Sequence, residues 1–336
     1  MKEPLVVKLA IARQAEGKSF KLYKNSVAAR LEDLVSYNTY WKPLAKRLEG
    51  MKTVHLAGHG VYHQISFSSL LNPESKKYLA DEVYVASIPS TEWLVKPKHK
   101  RAIPKVTLLA HPAYGAPASS KPSSLSRSLD LENINELPGT ENELNDIVAL
   151  VDRNKIGYKE FEGPDASEEN VRKIAQPEVL HIATHGYFLN AISSTETQFR
   201  NPLLQSGLLL AGCQLKPHLT DSRKEDGILT AYEASTLPLY QTTLVILSAC
   251  ETGLGDVKNG EGVYGLQRAF LMAGAQRVLM SLWKVDDEST RQFMVAFYED
   301  WIQSQDIDRA YQTAQRAVRL AHPEPYYWAA FILNGQ

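Results

Sequence analysis

Two side chains in the middle of the chain have the chemistry to work together. Cys250 follows the apolar run Leu244–Leu247 after Ser248-Ala249, and His185 follows Val179–Ala183 after Thr184. A free thiol attacks poorly near neutral pH because its pKa is ~8.5. A neighbouring imidazole can take the proton and leave a thiolate to attack a peptide carbonyl. The oxyanion that forms needs fixed donors. The backbone N–H groups of Cys250 and of Gly186, which has no β-carbon in the way, suit that task. The chemistry is acyl transfer through a thioester to water, and the pair requires no cofactor.

Elements that would bring such a pair together can be read around it. Both runs are too short for helices and rich in Val, Ile and Leu, so each is expected as a buried strand. In open α/β sheets, ligands sit off the carboxyl ends of strands. Two parallel strands would place both tips on one edge, and the span from 185 to 250 leaves room for a crossover. A loop with Gly253, Gly255, Gly260 and Gly262 follows Cys250, and a helical pattern begins near Val263.

The rest of the chain repeats this rhythm. Residues 1–50 have helical spacing at Leu5, Leu9 and Ile11, again at Val27, Leu31, Leu34 and Val35, and up to Leu48, with Gly50 as a stop. Strands are expected at Val54–Ala57, Glu82–Ile88 and Val106–Ala110, before a Pro- and Ser-rich loop over 111–128. Thr140 with Glu143 reads as a capping box for a helix with Leu144, Ile147, Val148 and Val151 on its apolar face. Asp165 or Ser167 would cap the next helix, Ser206–Leu210 is a strand, and Asp226-Gly227 would open a short helix to about Ala234. Beyond Gly274 come a strand at Arg277–Leu282, a helix capped by Asp286 or Asp287, another capped by Asp306, and a final strand over 326–333. Alternating strand and helix predict an α/β class with a largely parallel sheet and helices on both faces.

Composition removes several function classes. A net charge of −1 gives no global pull toward nucleic acid or anionic lipid. No apolar run approaches the ~20 residues of a membrane helix, and the charged N-terminus lacks a signal-peptide core. Two cysteines make no disulfide framework, so the expected compartment is a reducing cytoplasm. Cys213 reads as a buried inert thiol. His55, His59 and His63 recur every four residues, but Gly58 and Gly60 argue against a helix presenting them, and His59-Gly60 reads as a turn. His181 and His185 sit in strand-like sequence without the glutamate of a zinc-protease motif, so no metal site is expected. Gly253-Leu254-Gly255 lacks the rest of a dinucleotide or phosphate loop.

The stretches LHIATHGYF (180–188) and LSACETGLGDVKNGEGVYGLQRAFLMAGAQRVLMSLWKVDDEST (247–290) resemble the CHAT-domain family, a bacterial branch of the caspase–separase-like cysteine peptidases. His185-Gly186 and Ala249-Cys250 match the family's histidine-glycine and alanine-cysteine pairs. Leu137-Pro138-Gly139 with Glu141 and Glu143, Asp226 to Ala231, and Tyr327 to Phe331 extend the likeness to roughly residues 50–336.

This resemblance implies a caspase-like sheet in two halves. Residues 51–130 would form a degenerate half and 131–336 the catalytic half, after a helical lead-in over 1–50 that would join a repeat or sensor module. It implies a cysteine endopeptidase acting on a protein substrate, with His185 and Cys250 as the dyad, governed by a tetratricopeptide-repeat or other regulatory module. It also places Asp287, or Asp286, where relatives carry part of the pocket for the residue before the scissile bond. A carboxylate there would pair with Arg or Lys, although either aspartate could equally cap the following helix. Lys284 departs from the separase pattern. Glu251 is a second pocket candidate. The alternative is a catalytically silent module that uses the same fold for docking.

Overall fold

The computed structural model describes residues 15–95, 105–115, 134, 137–174, 176–188, 202–214, 226–248 and 261–336. Its helical lead-in includes α1 (Phe20–Ala28), α2 (Ser36–Tyr40) and α3 (Lys42–Leu48). Strands β1 (Thr53–Leu56), β2 (Tyr84–Ser87) and β3 (Lys105–Pro112) follow, then α4 (Pro138–Arg153), β4 (Gly157–Gly163), α5 (Glu168–Arg172) and β5 (Val179–Ala183). Next come the short strands β6 (Gly186–Phe188), β7 (Ser206–Leu209) and β8 (Ile228–Thr230), and α6 (Ala231–Ala234). The last part is β9 (Leu244–Leu247), α7 (Glu261–Met272), β10 (Arg277–Ser281), α8 (Asp287–Ser304), α9 (Ile307–Ala321), α10 (Pro325–Trp328) and β11 (Phe331–Gly335).

Eight strands form one sheet in the order β1-β2-β11-β10-β9-β5-β3-β4. Every neighbouring pair is parallel except β10 with β11. Every residue of β5, β9 and β10 is buried, which explains their unbroken apolar runs: a parallel sheet covered on both faces has no solvent side to mark with polar residues. Alternation then sorts the side chains. Val179, Ala183, Leu244 and Ile246 pack with α4, α8 and α9 on one face. Leu180, Ile182, Val245 and Leu247 pack with α5, α6 and α7 on the other. Strands β6, β7 and β8 form a separate antiparallel sheet.

A third core joins the helical lead-in to the β1–β2 region through Tyr23, Tyr40, Trp41, Phe67 and Leu79. Ser66 N donates to Tyr23 Oη at 3.1 Å, so the described part of the lead-in packs as part of the folded unit. Helix α9 ties this front region to the rest. Asp308 accepts from Tyr84 Oη at 2.7 Å and from Arg277 Nη2 at 2.8 Å, and Arg319 forks onto Asp81 at 2.7 and 3.0 Å.

Several local expectations are revised. Val27, Leu31, Leu34 and Val35 do not share a helix: α1 ends at Ala28, Arg30 turns the chain with φ 57°, and the other three are exposed. Asp33 accepts from the N–H groups of Val35 and Ser36, both at 2.9 Å, and so restarts the helix as α2. Thr140 and Glu143 form no capping box, because Pro138 already starts α4. Thr140 lies inside the first turn and donates to the Leu137 carbonyl at 2.7 Å, while Glu143 turns into the core. Asp226-Gly227 opens β8 rather than a helix. Gly227 has φ +80°, and a β-carbon there would meet Cys213 N at 2.6 Å. The capping box belongs instead to Thr230 and Glu233 at the start of α6. The stretch expected as a last strand is split between α10 and β11. Strand β3 lies between β4 and β5, so strands from both sides of residue 130 share the large sheet.

Candidate active site

His185 follows β5 at its carboxyl end and precedes β6, at the join between the large sheet and the small one. Its main chain is held from two sides. The His185 N–H donates to Tyr114 Oη at 3.3 Å, and the His185 carbonyl accepts from Leu209 N at 2.8 Å. Tyr114 Oη lies 2.9 Å from Thr184 Oγ1, and that hydroxyl donates to the Leu209 carbonyl. The Tyr114 ring packs against the imidazole with centroids 5.3 Å apart. Burial pushes the Tyr114 phenol up to about 12, so it stays protonated as a hydrogen-bond partner. His185 is buried, 8% exposed as a residue.

The small sheet that carries Leu209 is itself anchored. Glu168 is buried and accepts from Arg172 Nη2 at 2.6 Å, Asp226 N at 3.1 Å and Gly227 N at 3.3 Å. Burial holds its carboxyl above the usual range. Arg172 reaches on to Glu233 at 3.1 Å, so α5, β8 and α6 are fixed together beside the histidine.

The strand expected to carry the nucleophile is β9, immediate neighbour of β5. Ser248 N donates to the Ile182 carbonyl at 2.9 Å, which extends the pairing past the end of β9. Ala249, Cys250 and Glu251 lie outside the described residues. Gly186 begins β6 and pairs with Leu208. Asp286 is the N-cap of α8 and accepts from Ser289 N and Ser289 Oγ, both at 3.0 Å. Asp287 is exposed at the first position of α8, and a β-carbon on Gly139 would sit 2.7 Å from its side chain. That contact explains glycine in Leu137-Pro138-Gly139: the starts of α4 and α8 meet there. Cys213 is fully buried and its thiol is pushed up to about 12, chiefly by burial, as its reading as an inert thiol expects. Among the described residues there is no His, Cys, Asp and Glu group that could hold a metal, and no helix is long and apolar enough to cross a membrane.

Sequence reasoning missed a polar network in the core beneath these tips. Glu143 Oε2 accepts from Ser248 Oγ at 2.9 Å. Glu143 Oε1 is 2.8 Å from His181 Nε2, although the ring N–H points off the line of a hydrogen bond. His181 Nδ1 is 3.3 Å from Tyr298 Oη. All four residues are buried. Two signals were present in the sequence. A glutamate sits on the apolar stripe of α4 beside Leu144 and Ile147, and a histidine interrupts the apolar run of β5.

Comparison with known proteins places this geometry. Residues 34–336 match the family model described as CHAT domain. Tetratricopeptide repeat protein 28 of Homo sapiens is 27% identical over 300 residues, covering 82% of this chain and 12% of that protein. The Mus musculus protein of the same name is 26% identical over 300 residues, again 82% of this chain and 12% of its own. The chain therefore spans a small part of the curated relatives it matches. The crystal structure of the Arg-specific cysteine proteinase gingipain R aligns with a TM-score of 0.51 at 11% identity, covering 100% of this chain and 79% of that one. The Saccharomyces cerevisiae separase–securin complex aligns with a TM-score of 0.45 at 13% identity, covering 84% of this chain and 15% of that one. The fold is thus caspase-like, with a mainly parallel sheet between helical layers.

Proposed function

The chain belongs to the CHAT-domain family, and from that premise we propose a cysteine endopeptidase with Cys250 as nucleophile and His185 as general base. The observation that carries this reading is the neighbouring of β5 and β9. The histidine stands at the carboxyl end of one strand, and the other leads through Ser248 toward the cysteine. His185 takes the Cys250 proton as Sγ bonds to the substrate carbonyl carbon. The N–H groups of Gly186 and Cys250 receive the oxyanion. Collapse breaks the C–N bond, and His185 returns its proton to the leaving amine. A water that gives its proton to His185 then attacks the thioester, the C–S bond breaks, and the thiol is restored.

For substrate choice the exposed Asp287 is the better placed of the two aspartates, because the Asp286 carboxylate is engaged as a cap. A carboxylate at that place favours Arg or Lys before the scissile bond, and Glu251 stands beside the nucleophile in sequence as a second candidate. The match to tetratricopeptide-repeat proteins many times longer supports a peptidase unit working under a helical-repeat module. A reducing cytoplasm suits a thiol nucleophile.

Peptide reporters with basic, acidic or apolar residues before the cut test this, run with the chain alone and with its regulatory module. Turnover of the basic series, absent in Cys250→Ala, is the expected result. No turnover of any series in either setting would leave the chain as a docking module.

A further inference from the structure

The Glu143 network is a polar cluster buried inside the core. Its surroundings are apolar: Leu144 and Ile147 on α4, Ala183 on β5, Ile246 on β9 and Phe297 on α8 belong to the same core. Glu143 is 3% exposed, and among the described residues its close polar partners are a hydroxyl and an imidazole rather than Lys or Arg. A carboxylate in such a place is costly to desolvate, and an apolar set replacing the whole network is often as good for stability. What the carboxylate does contact is specific. Ser248 lies two positions before Cys250, and His181 lies four before His185. Alternation along two paired parallel strands puts both contacts on the face covered by α4 and α8.

Hydrogen-bond supply gives the network a direction. Burial, and next the Glu143 charge, push the Tyr298 phenol far above its ordinary value, so its hydroxyl remains a donor. His181 Nδ1 is positioned as its acceptor, which leaves the ring proton on Nε2, the atom facing Glu143. Ser248 donates from the other side. One carboxylate therefore bonds to Ser248 beyond β9 and lies 2.8 Å from His181 on β5.

We propose that Glu143 is a positioning residue, fixed by α4, that sets how the nucleophile-bearing and base-bearing strand ends approach each other. This rests on the peptidase reading of His185 and Cys250. Glu143 need not touch substrate or either dyad member. It holds Ser248, two positions before Cys250, and lies against His181 of β5.

Alkylation of the native chain by iodoacetamide across pH tests this without a known substrate, with Cys213 as the buried internal control. In the wild type, Cys250 is expected to react with a midpoint below the ~8.5 of a free thiol. Glu143→Leu fills the site with an apolar side chain. It also strands the buried Ser248 hydroxyl, so the melting temperature is expected to fall by the few degrees one orphaned group costs, while the midpoint moves up by about one unit, roughly a tenfold loss of rate at neutral pH. Glu143→Gln, which keeps an acceptor for Ser248, should recover most of that rate. Ser248→Ala should show a smaller shift of the same sign, and it carries the test if Glu143→Leu does not fold. A wild-type midpoint at the free-thiol value overturns the dyad and this proposal with it. A depressed wild-type midpoint that survives unchanged in Glu143→Leu, or in Ser248→Ala where that variant stands in for it, overturns the proposal and leaves the dyad standing.

Discussion

The chain contains two His-Gly pairs at the ends of strands in one sheet, and their settings differ. His59-Gly60 follows β1, the edge strand, whose residues alternate between exposed and half-buried. His59 is exposed, and its carbonyl accepts from Tyr62 N at 3.3 Å to close a short turn. His185-Gly186 follows β5, deep in the sheet and fully buried, with Tyr114 and Leu209 gripping the main chain. The dipeptide alone is therefore no site. What distinguishes the second is a neighbouring strand leading to a thiol, a ring packed on the imidazole, and a small sheet that pins the backbone.

The largest expected effect separates the two directly. Cys250→Ala should abolish peptide turnover, and His185→Ala should lower kcat/KM by roughly 10²–10⁴, the usual worth of a general base. His59→Ala should leave kcat/KM within about twofold, the tolerance expected of an exposed turn residue. Equal losses at the two histidines would dissolve the contrast. Tyr114→Phe keeps the ring but removes the acceptor for the His185 N–H. Leaving that buried group unpaired costs about 1–3 kcal/mol. If the support matters as argued, kcat falls more than KM rises when steady-state kinetics are compared. Gly139→Ala forces a β-carbon against Asp287, and overpacking of that kind costs about 1–3 kcal/mol. Thermal melts should register it, and a shift in preference among basic reporters would tie Asp287 to the pocket. The smallest effect is a count of thiols. The native chain should react at Cys250 alone near pH 8, and Cys213 should join only in denaturant. Early modification of Cys213 would contradict its burial.

The sheet interior was legible because parallel strands covered on both faces are written as short apolar runs, as in β5, β9 and β10. The helix caps at Ser167, Asp286 and Asp306 were legible because the side chain of a cap bonds within its own first turn. What failed was less local. Leu31, Leu34 and Val35 have helical spacing yet lie exposed in a turn, since spacing does not reveal whether a partner surface exists. Glu143 fitted the capping-box pattern, and only Pro138 starting the helix early sent it inward. Tyr114 stands next to a Pro- and Ser-rich stretch, and nothing beside it in sequence announces that its hydroxyl will meet Thr184, from a strand far along the chain. The pairing of β7 with β6 and β8 is equally non-local.

Strand β11 meets β2 at a single register pair, Asn334 with Ser87, whereas it meets β10 along its whole length. Mechanically the sheet is a plank with one soft joint, and that joint lies between the front strands and those leading to the dyad. Arg319 with Asp81 and Tyr84 with Asp308 act as straps across it, and both are drawn to α9. Strain applied to the front of the molecule would concentrate along this seam, where α9 shares the load with α10, whose Trp328 packs on Tyr78 and whose Tyr326 and Tyr327 receive Arg30.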